Sequence, residues 1–242
     1  MDIRAVIREL EEIAPPDGAE EIDSGRIGLI IAGTREIGRV ACALDATPAV
    51  VKASVSSGAD MLVVHHTPLW SPVTAVPQAL AALLKLVLAA DLNIYVMHTN
   101  FDHAKGGIND ALARLLGLTS VQEMSLGVCG DCNLDLPGLA RCLGFPLRTW
   151  GLVTLPCRIG VVGGSGFDPE LIGEAASLGA TAYLSAELRH SVARGSPLPL
   201  IESTHYALEA PGMRQLAERM GWTFIDDPPV METWRETICL KP

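Results

Sequence analysis

Short apolar runs that demand burial on both faces alternate along this chain with stretches of helical periodicity, and no other feature narrows the fold as far. Met61-Leu62-Val63-Val64 is the clearest run, four apolar residues with no polar alternate. Strands are read over Arg26–Gly33, Arg39–Asp45, Met61–His65, Asn93–Met97, Arg158–Val162, Thr181–Leu184, Leu198–Ile201 and Trp222–Ile225. Helices are read between them over Pro48–Ser57, Pro77–Ala90, Ile108–Leu116, Pro169–Leu178 and Leu208–Met220. An amphipathic helix precedes them all, with Ile3, Val6, Ile7, Leu10 and Ile13 at helical spacing and Pro15-Pro16 as its stop. The alternation implies βαβ units, an α/β fold whose sheets are covered by helices. Signals weaken over Leu118–Asp135, so a soft boundary near Ser125 divides an N-terminal lobe, 1–125, from a C-terminal lobe, 126–242.

Composition excludes several classes. With 49% hydrophobic residues in 242, there is ample apolar surface to bury, and the chain is not a disordered one. Lys and Arg number 18 against 28 Asp and Glu, a net charge of −10, which argues against general nucleic-acid binding. The longest apolar stretch, Ala79 to Ala90, is broken by Lys85 and falls short of the ~20 residues that span a bilayer. Acids from Asp2 onward replace the basic-then-apolar order of a signal peptide, and six Cys are too few for a disulfide scaffold. The expectation is a cytoplasmic protein with reduced thiols. Cys129-Gly130-Asp131-Cys132 stands without a second pair for zinc and without the strand–CxxC–helix setting of a redox site.

Three polar clusters each follow an apolar strand: His65-His66, His98-Thr99-Asn100-Phe101-Asp102-His103, and His205-Tyr206-Ala207-Leu208-Glu209. Ligand sites in α/β sheets lie beyond the carboxyl ends of strands. Imidazole and carboxylate suit Zn, Fe, Mn or Ni. Adjacent His on an extended segment point to opposite sides, which favours two ions over one, and His205 and Glu209 share a helix face at i, i+4. Taken singly, each cluster has a plain reading: an incidental pair, a turn bonded by Asn100 or Asp102, a surface helix pair. Three at equivalent positions favour a metal or catalytic site. Gly163-Gly164-Ser165-Gly166 lacks the full phosphate-loop pattern and reads as a tight turn.

In this order and spacing the motifs resemble the NIF-three-like family, whose bacterial members are called type 2 homologues of GTP cyclohydrolase I. The resemblance also takes in Trp70, Gly107-Ile108-Asn109-Asp110, the Gly163–Gly166 turn and Ser185-Ala186-Glu187-Leu188-Arg189-His190. It implies two intertwined α/β lobes around a dinuclear divalent-metal centre, and a homo-oligomer, commonly a ring-shaped hexamer. By position, the metal ligands would be His65, His66, Asp102, His205 and Glu209. His98 and His190 would be catalytic neighbours, and Glu187 would line the same cavity. Ala186, Thr204 and Leu208 depart from the family pattern at positions that are not ligands.

The function expected is a metal-dependent hydrolase of the cyclohydrolase type, acting on a nucleotide or similar anionic small molecule, with two divalent ions per chain. Two ions bring four positive charges and Asp102 and Glu209 return two, so the centre should draw anions. The competing expectation is a metal-binding regulatory or interaction protein without turnover.

Overall fold

The computed structural model describes residues 1–232. In chain order the first half contains α1 (Ile3–Ile13), β1 (Gly28–Ile31), β2 (Val40–Asp45), α2 (Pro48–Ser56), β3 (Met61–His66), α3 (Gln78–Ala89), β4 (Asn93–Val96), a single turn α4 (Thr99–Asp102) and α5 (Ile108–Leu115). Then follow β5 (Thr119–Glu123), β6 (Val128–Cys132), α6 (Leu136–Leu143), β7 (Arg148–Trp150), β8 (Cys157–Val161), α7 (Pro169–Ser177), β9 (Ala182–Ser185), α8 (His190–Gly195), β10 (Leu200–Glu202), α9 (His205–Met220) and β11 (Thr223–Phe224).

Two sheets result, with strand orders β1-β4-β3-β2-β11 and β5-β6-β8-β9-β10-β7. The first is parallel through β11, β2, β3 and β4, with β1 antiparallel at one edge. Parallel order needs helices on both faces, and the side chains of β3 show them. Met61 and Val63 pack with Leu10 of α1 and Met213 and Leu216 of α9. Leu62 and Val64 pack with Val50 and Val51 of α2 and Leu83 and Val87 of α3. The period-2 alternation therefore delivers the next residue on the Met61/Val63 side, His65, toward α9. The second sheet is parallel through β8, β9 and β10 and antiparallel elsewhere.

The chain crosses to the second sheet before β5 and comes back to the first with β11, which pairs with β2. By sheet membership the 125/126 division therefore falls inside the β5–β6 hairpin. That hairpin was illegible because β5 is exposed along its whole length and β6 reads Val-Cys-Gly-Asp-Cys, without the alternation that marks a strand. β6 also separates its two thiols. Cys129 packs with Ile172 and Tyr183, and Cys132 with Leu139 and Ile159, on opposite faces of the sheet. Residues three apart on a strand cannot share a face, so this CxxC is neither a dithiol pair nor half a zinc site. Helix α9 begins at His205, three residues before its expected start, because Thr204 caps it by accepting from the Ala207 amide. No helix among the described residues is long and apolar enough to cross a membrane.

Candidate metal centre

The carboxyl ends of β3, β4, β9 and β10 converge where α9 starts. β3 ends in His65 and His66. β4 leads through Met97 to His98, whose carbonyl accepts from the Phe101 and Asp102 amides and so starts the turn that presents Asp102. On α9, His205 and Glu209 lie one turn apart.

Glu209 is the hub. Its Oε2 lies 2.8 Å from His205 Nε2, 3.0 Å from His66 Nε2 and 3.8 Å from His65 Nε2, and His65 Nε2 lies 3.5 Å from Asp102 Oδ1. Two groups thus share one carboxylate: His66, His205 and Glu209, and His65, Asp102 and Glu209; a third group is all imidazole, His65, His66 and His98, and the donor atoms in each lie within 4.8 Å of one another. His65 Nε2, Asp102 Oδ1 and Glu209 Oε2 are buried and, while the imidazoles facing them are neutral, no hydrogen bond satisfies them. Three such orphans converging in one place would cost several kcal/mol unless a cation completes them. The donor set of imidazole and carboxylate fits divalent Zn, Fe, Mn or Ni.

The imidazoles are oriented from behind. Met97 O, Asp45 Oδ1 and Glu187 Oε1 stand 2.7, 2.8 and 2.7 Å from Nδ1 of His65, His66 and His205 respectively. Carbonyls and carboxylates only accept, so each Nδ1 donates, which leaves each Nε2 of a neutral imidazole as the atom that would face an ion; His66 Nε2 and His205 Nε2 stand 3.2 Å apart, close enough to share a proton when no ion separates them. His98 follows the same rule, with Nδ1 donating to Asp23 Oδ1 at 2.7 Å. Its ring lies 4.9 Å from that of His65. Asp23 is buried and also accepts from the Thr99 amide and hydroxyl. Of these outer partners only Glu187 was singled out in the sequence. Asp45 had a signal, because it closes the strand read over Arg39–Asp45, and the structure sets it in register with His66. Asp23 sits in a short turn over Glu21–Asp23 and had none.

Glu187 adopts φ +61°, a left-handed conformation unusual for a non-glycine residue, directly behind a candidate ligand. Gly164 is the other special backbone position. Its φ is +63°, and a Cβ there would stand 2.0 Å from Glu209 Oε1, so the turn after β8 reads as a close approach to the hub. His190 is exposed at the first residue of α8. Among the described residues, no hydrogen bond, ion pair or ring contact joins it to the other five histidines and carboxylates. The structure thus brings His65, His66, Asp102, His205, Glu209 and His98 together and, among the described residues, gives the exposed His190 no bond to them.

Burial holds the His65 imidazole down to about 3. Burial acts in the same sense on His66, but its contacts with Asp45 and Glu209 prevail and raise it to about 10. Burial, then the Glu209 charge, pushes the Asp102 carboxyl up. Burial also opposes ionisation of Glu209, but the surrounding His65, His205 and His66 hold it down. A ligand imidazole must be neutral. The raised His66 holds a second proton, on the Nε2 that faces Glu209, which an ion must displace, whereas the lowered His65 has none to lose near neutral pH. Apparent metal affinity should therefore rise with pH from 7 toward 10, by about tenfold per unit for each proton displaced. Zinc titration in weak buffer with an indicator dye should register proton release. Affinity that is flat across this range would contradict the arrangement.

The sequence profile described as Duf34/NIF3 (NGG1p interacting factor 3) matches residues 1–230. A "GTP cyclohydrolase 1 type 2 homolog" from Deinococcus radiodurans is 32% identical over 225 residues, covering 83% of this chain and 84% of that one. Reduced HcgD from Methanocaldococcus jannaschii superposes with TM-score 0.78 at 27% identity, covering 93% of this chain and 96% of its own. The ybgI protein superposes with TM-score 0.84 at 24% identity, covering 95% and 99%, and shares the fold. A profile spanning nearly the whole chain, carried by the same α/β architecture, makes this protein a member of the Duf34/NIF3 family.

Proposed function

We propose that this chain is a dinuclear metal-dependent hydrolase of the cyclohydrolase type, acting on a small heterocyclic substrate of the nucleobase, nucleoside or nucleotide kind. The observation that carries the reading is the set of three buried, unsatisfied polar atoms on His65, Asp102 and Glu209, beside a second triad that shares Glu209. His65, Asp102 and Glu209 would hold one ion, and His66, His205 and Glu209 the other. Bound divalent ions supply hydroxide near neutral pH by lowering the pKa of water.

The chain's own part is orientation and proton transfer. Glu187, Asp45 and the Met97 carbonyl fix the ligand tautomers. His98, held by Asp23, would accept a proton at Nε2 from the attacking group and return it to the leaving nitrogen. His190 has no place in this scheme. The assembly we propose is a closed homo-oligomeric ring, on the strength of the family resemblance, and a monomer mass by light scattering at micromolar concentration would count against it.

The test is turnover by purified, zinc- or manganese-loaded protein against a panel of purine bases, nucleosides and nucleotides. His98→Ala and Asp23→Asn should each lower turnover, His98→Ala by about 10²-fold or more, while both ions stay bound. His190→Ala should change neither quantity. Hydrolysis that persists in a His66→Ala, Asp102→Ala double variant belongs to a contaminant. Full metal content with no turnover on any member of the panel would leave a metal-binding interaction protein.

A further inference from the structure

A cavity of about 660 Å³ opens above His66 and His205. Its size suits a ligand of nucleoside dimensions. Part of its wall is apolar: Leu44, Trp70, Pro228 and Pro229. Trp70 is 44% exposed, packs edge-on to His98 with ring centres 5.2 Å apart, and is tethered where its carbonyl accepts from Arg26 Nε. An exposed indole beside the reacting groups is a stacking platform for a planar ring.

The polar part of the wall carries one sign. Asp45, Glu187 and Asp227 line it, and among the described residues the lining contains no Lys or Arg. Nor does any described Lys or Arg pair with these three carboxylates. Asp227 accepts from the Thr47 hydroxyl at 2.6 Å and donates its amide to the Tyr206 hydroxyl, which fixes it at the rim. Salt screens charge over about 8 Å at physiological ionic strength, comparable with the width of such a cavity, so these acids act on any ligand inside it. Even with Arg26, which donates to the Trp70 carbonyl, added to the four positive charges of two bound divalent ions, the five are outnumbered by six nearby carboxylates: Asp23, Asp45, Asp102, Glu187, Glu209 and Asp227. The ligands alone suggested a centre that draws anions, and the surrounding acids reverse that sign.

We infer that this mouth takes an uncharged or cationic planar heterocycle, of the nucleobase or nucleoside class, and turns away polyphosphates. The inference rests on the reading that the histidine–carboxylate cluster is the reaction centre. Binding tests it separately from turnover. Zinc-loaded protein, with metal content measured before and after, is titrated calorimetrically with guanosine and adenosine and with the magnesium complexes of GTP and ATP.

The nucleosides should bind at least about tenfold more tightly than the triphosphates. Trp70→Ala should weaken nucleoside binding by about tenfold, in line with the loss of one stacked base. Asp227→Lys should narrow the gap between the two ligand kinds by about tenfold or more, with metal content unchanged. Asp227→Asn, which preserves the shape, should narrow it less and in the same direction. Triphosphates that bind as tightly as nucleosides, a gap indifferent to both Asp227 variants, or nucleosides that do not bind would each overturn the inference. Nucleoside binding without hydrolysis would remove the hydrolase reading and leave this one standing.

Discussion

Glu209→Gln is expected to empty both metal positions, leaving less than about half an ion per chain after dialysis against trace metal. Its Oε2 belongs to the two donor groups that contain a carboxylate, so one substitution disables both. Loss of an orienting partner behind a ligand already weakens metal binding by about 10–100-fold, and loss of a shared ligand should exceed that. Asp102→Asn, which touches only the group with His65, should keep about one ion per chain. Stability gives an independent readout. At free metal a thousand times the dissociation constant, binding stabilises the native state by about 4 kcal/mol. For a chain of this size that corresponds to roughly 10 °C in Tm, which Glu209→Gln should forfeit. A Glu209→Gln protein that holds two ions, or an Asp102→Asn protein that holds none, would refute the shared-carboxylate arrangement.

Gly164→Ala should be nearly as damaging, although Gly164 offers no donor side chain. The new methyl would stand 2.0 Å from Glu209 Oε1 and 3.2 Å from His205 Nε2. One of them must move, and both belong to the triad with His66. Metal affinity should fall by about 10²-fold or more, as expected when a ligand is displaced and not merely loosened. The left-handed φ adds about 1 kcal/mol of backbone cost for any residue with a Cβ. Gly144→Ala separates the two effects. Gly144 has φ +72° as the C-cap of α6, and a methyl there would meet nothing within 4 Å. It should lose the same backbone stability and keep full metal content. If the two alanine variants bind metal equally well, the turn after β8 does not shape the site.

The grouping of ligands was readable from the sequence because each cluster follows a run too apolar to be anything but a buried strand, and strand ends meet in α/β folds. The i, i+4 spacing of His205 and Glu209 was readable for the same local reason. Asp23 and Asp227 were not, because a carboxylate in a turn or after a terminal strand looks like any solvated acid until tertiary contact sets it behind His98 or at the rim. Gly164 was read as a turn glycine, and only the position of α9 shows what a side chain there would strike. Sheet membership failed at β5, β6 and β11 because strand pairing between distant segments leaves no periodic trace when the strands are exposed, polar or two residues long.

Because α9 crosses from the second sheet back to the first, synthesis order and assembly order diverge. A ribosome releases His65, His66 and Asp102 long before Glu209, and β2 keeps an unpaired edge until β11 emerges. Domains commonly fold as they are made, N-terminal part first. This one cannot close its first lobe, or acquire the carboxylate shared by two donor groups, until nearly the whole described chain is out. The candidate metal centre is therefore completed late in the life of each molecule. A nascent chain stalled before Glu209 should present histidines without their anionic counterpart, as a weak ligand set for whatever ion or chaperone reaches it first.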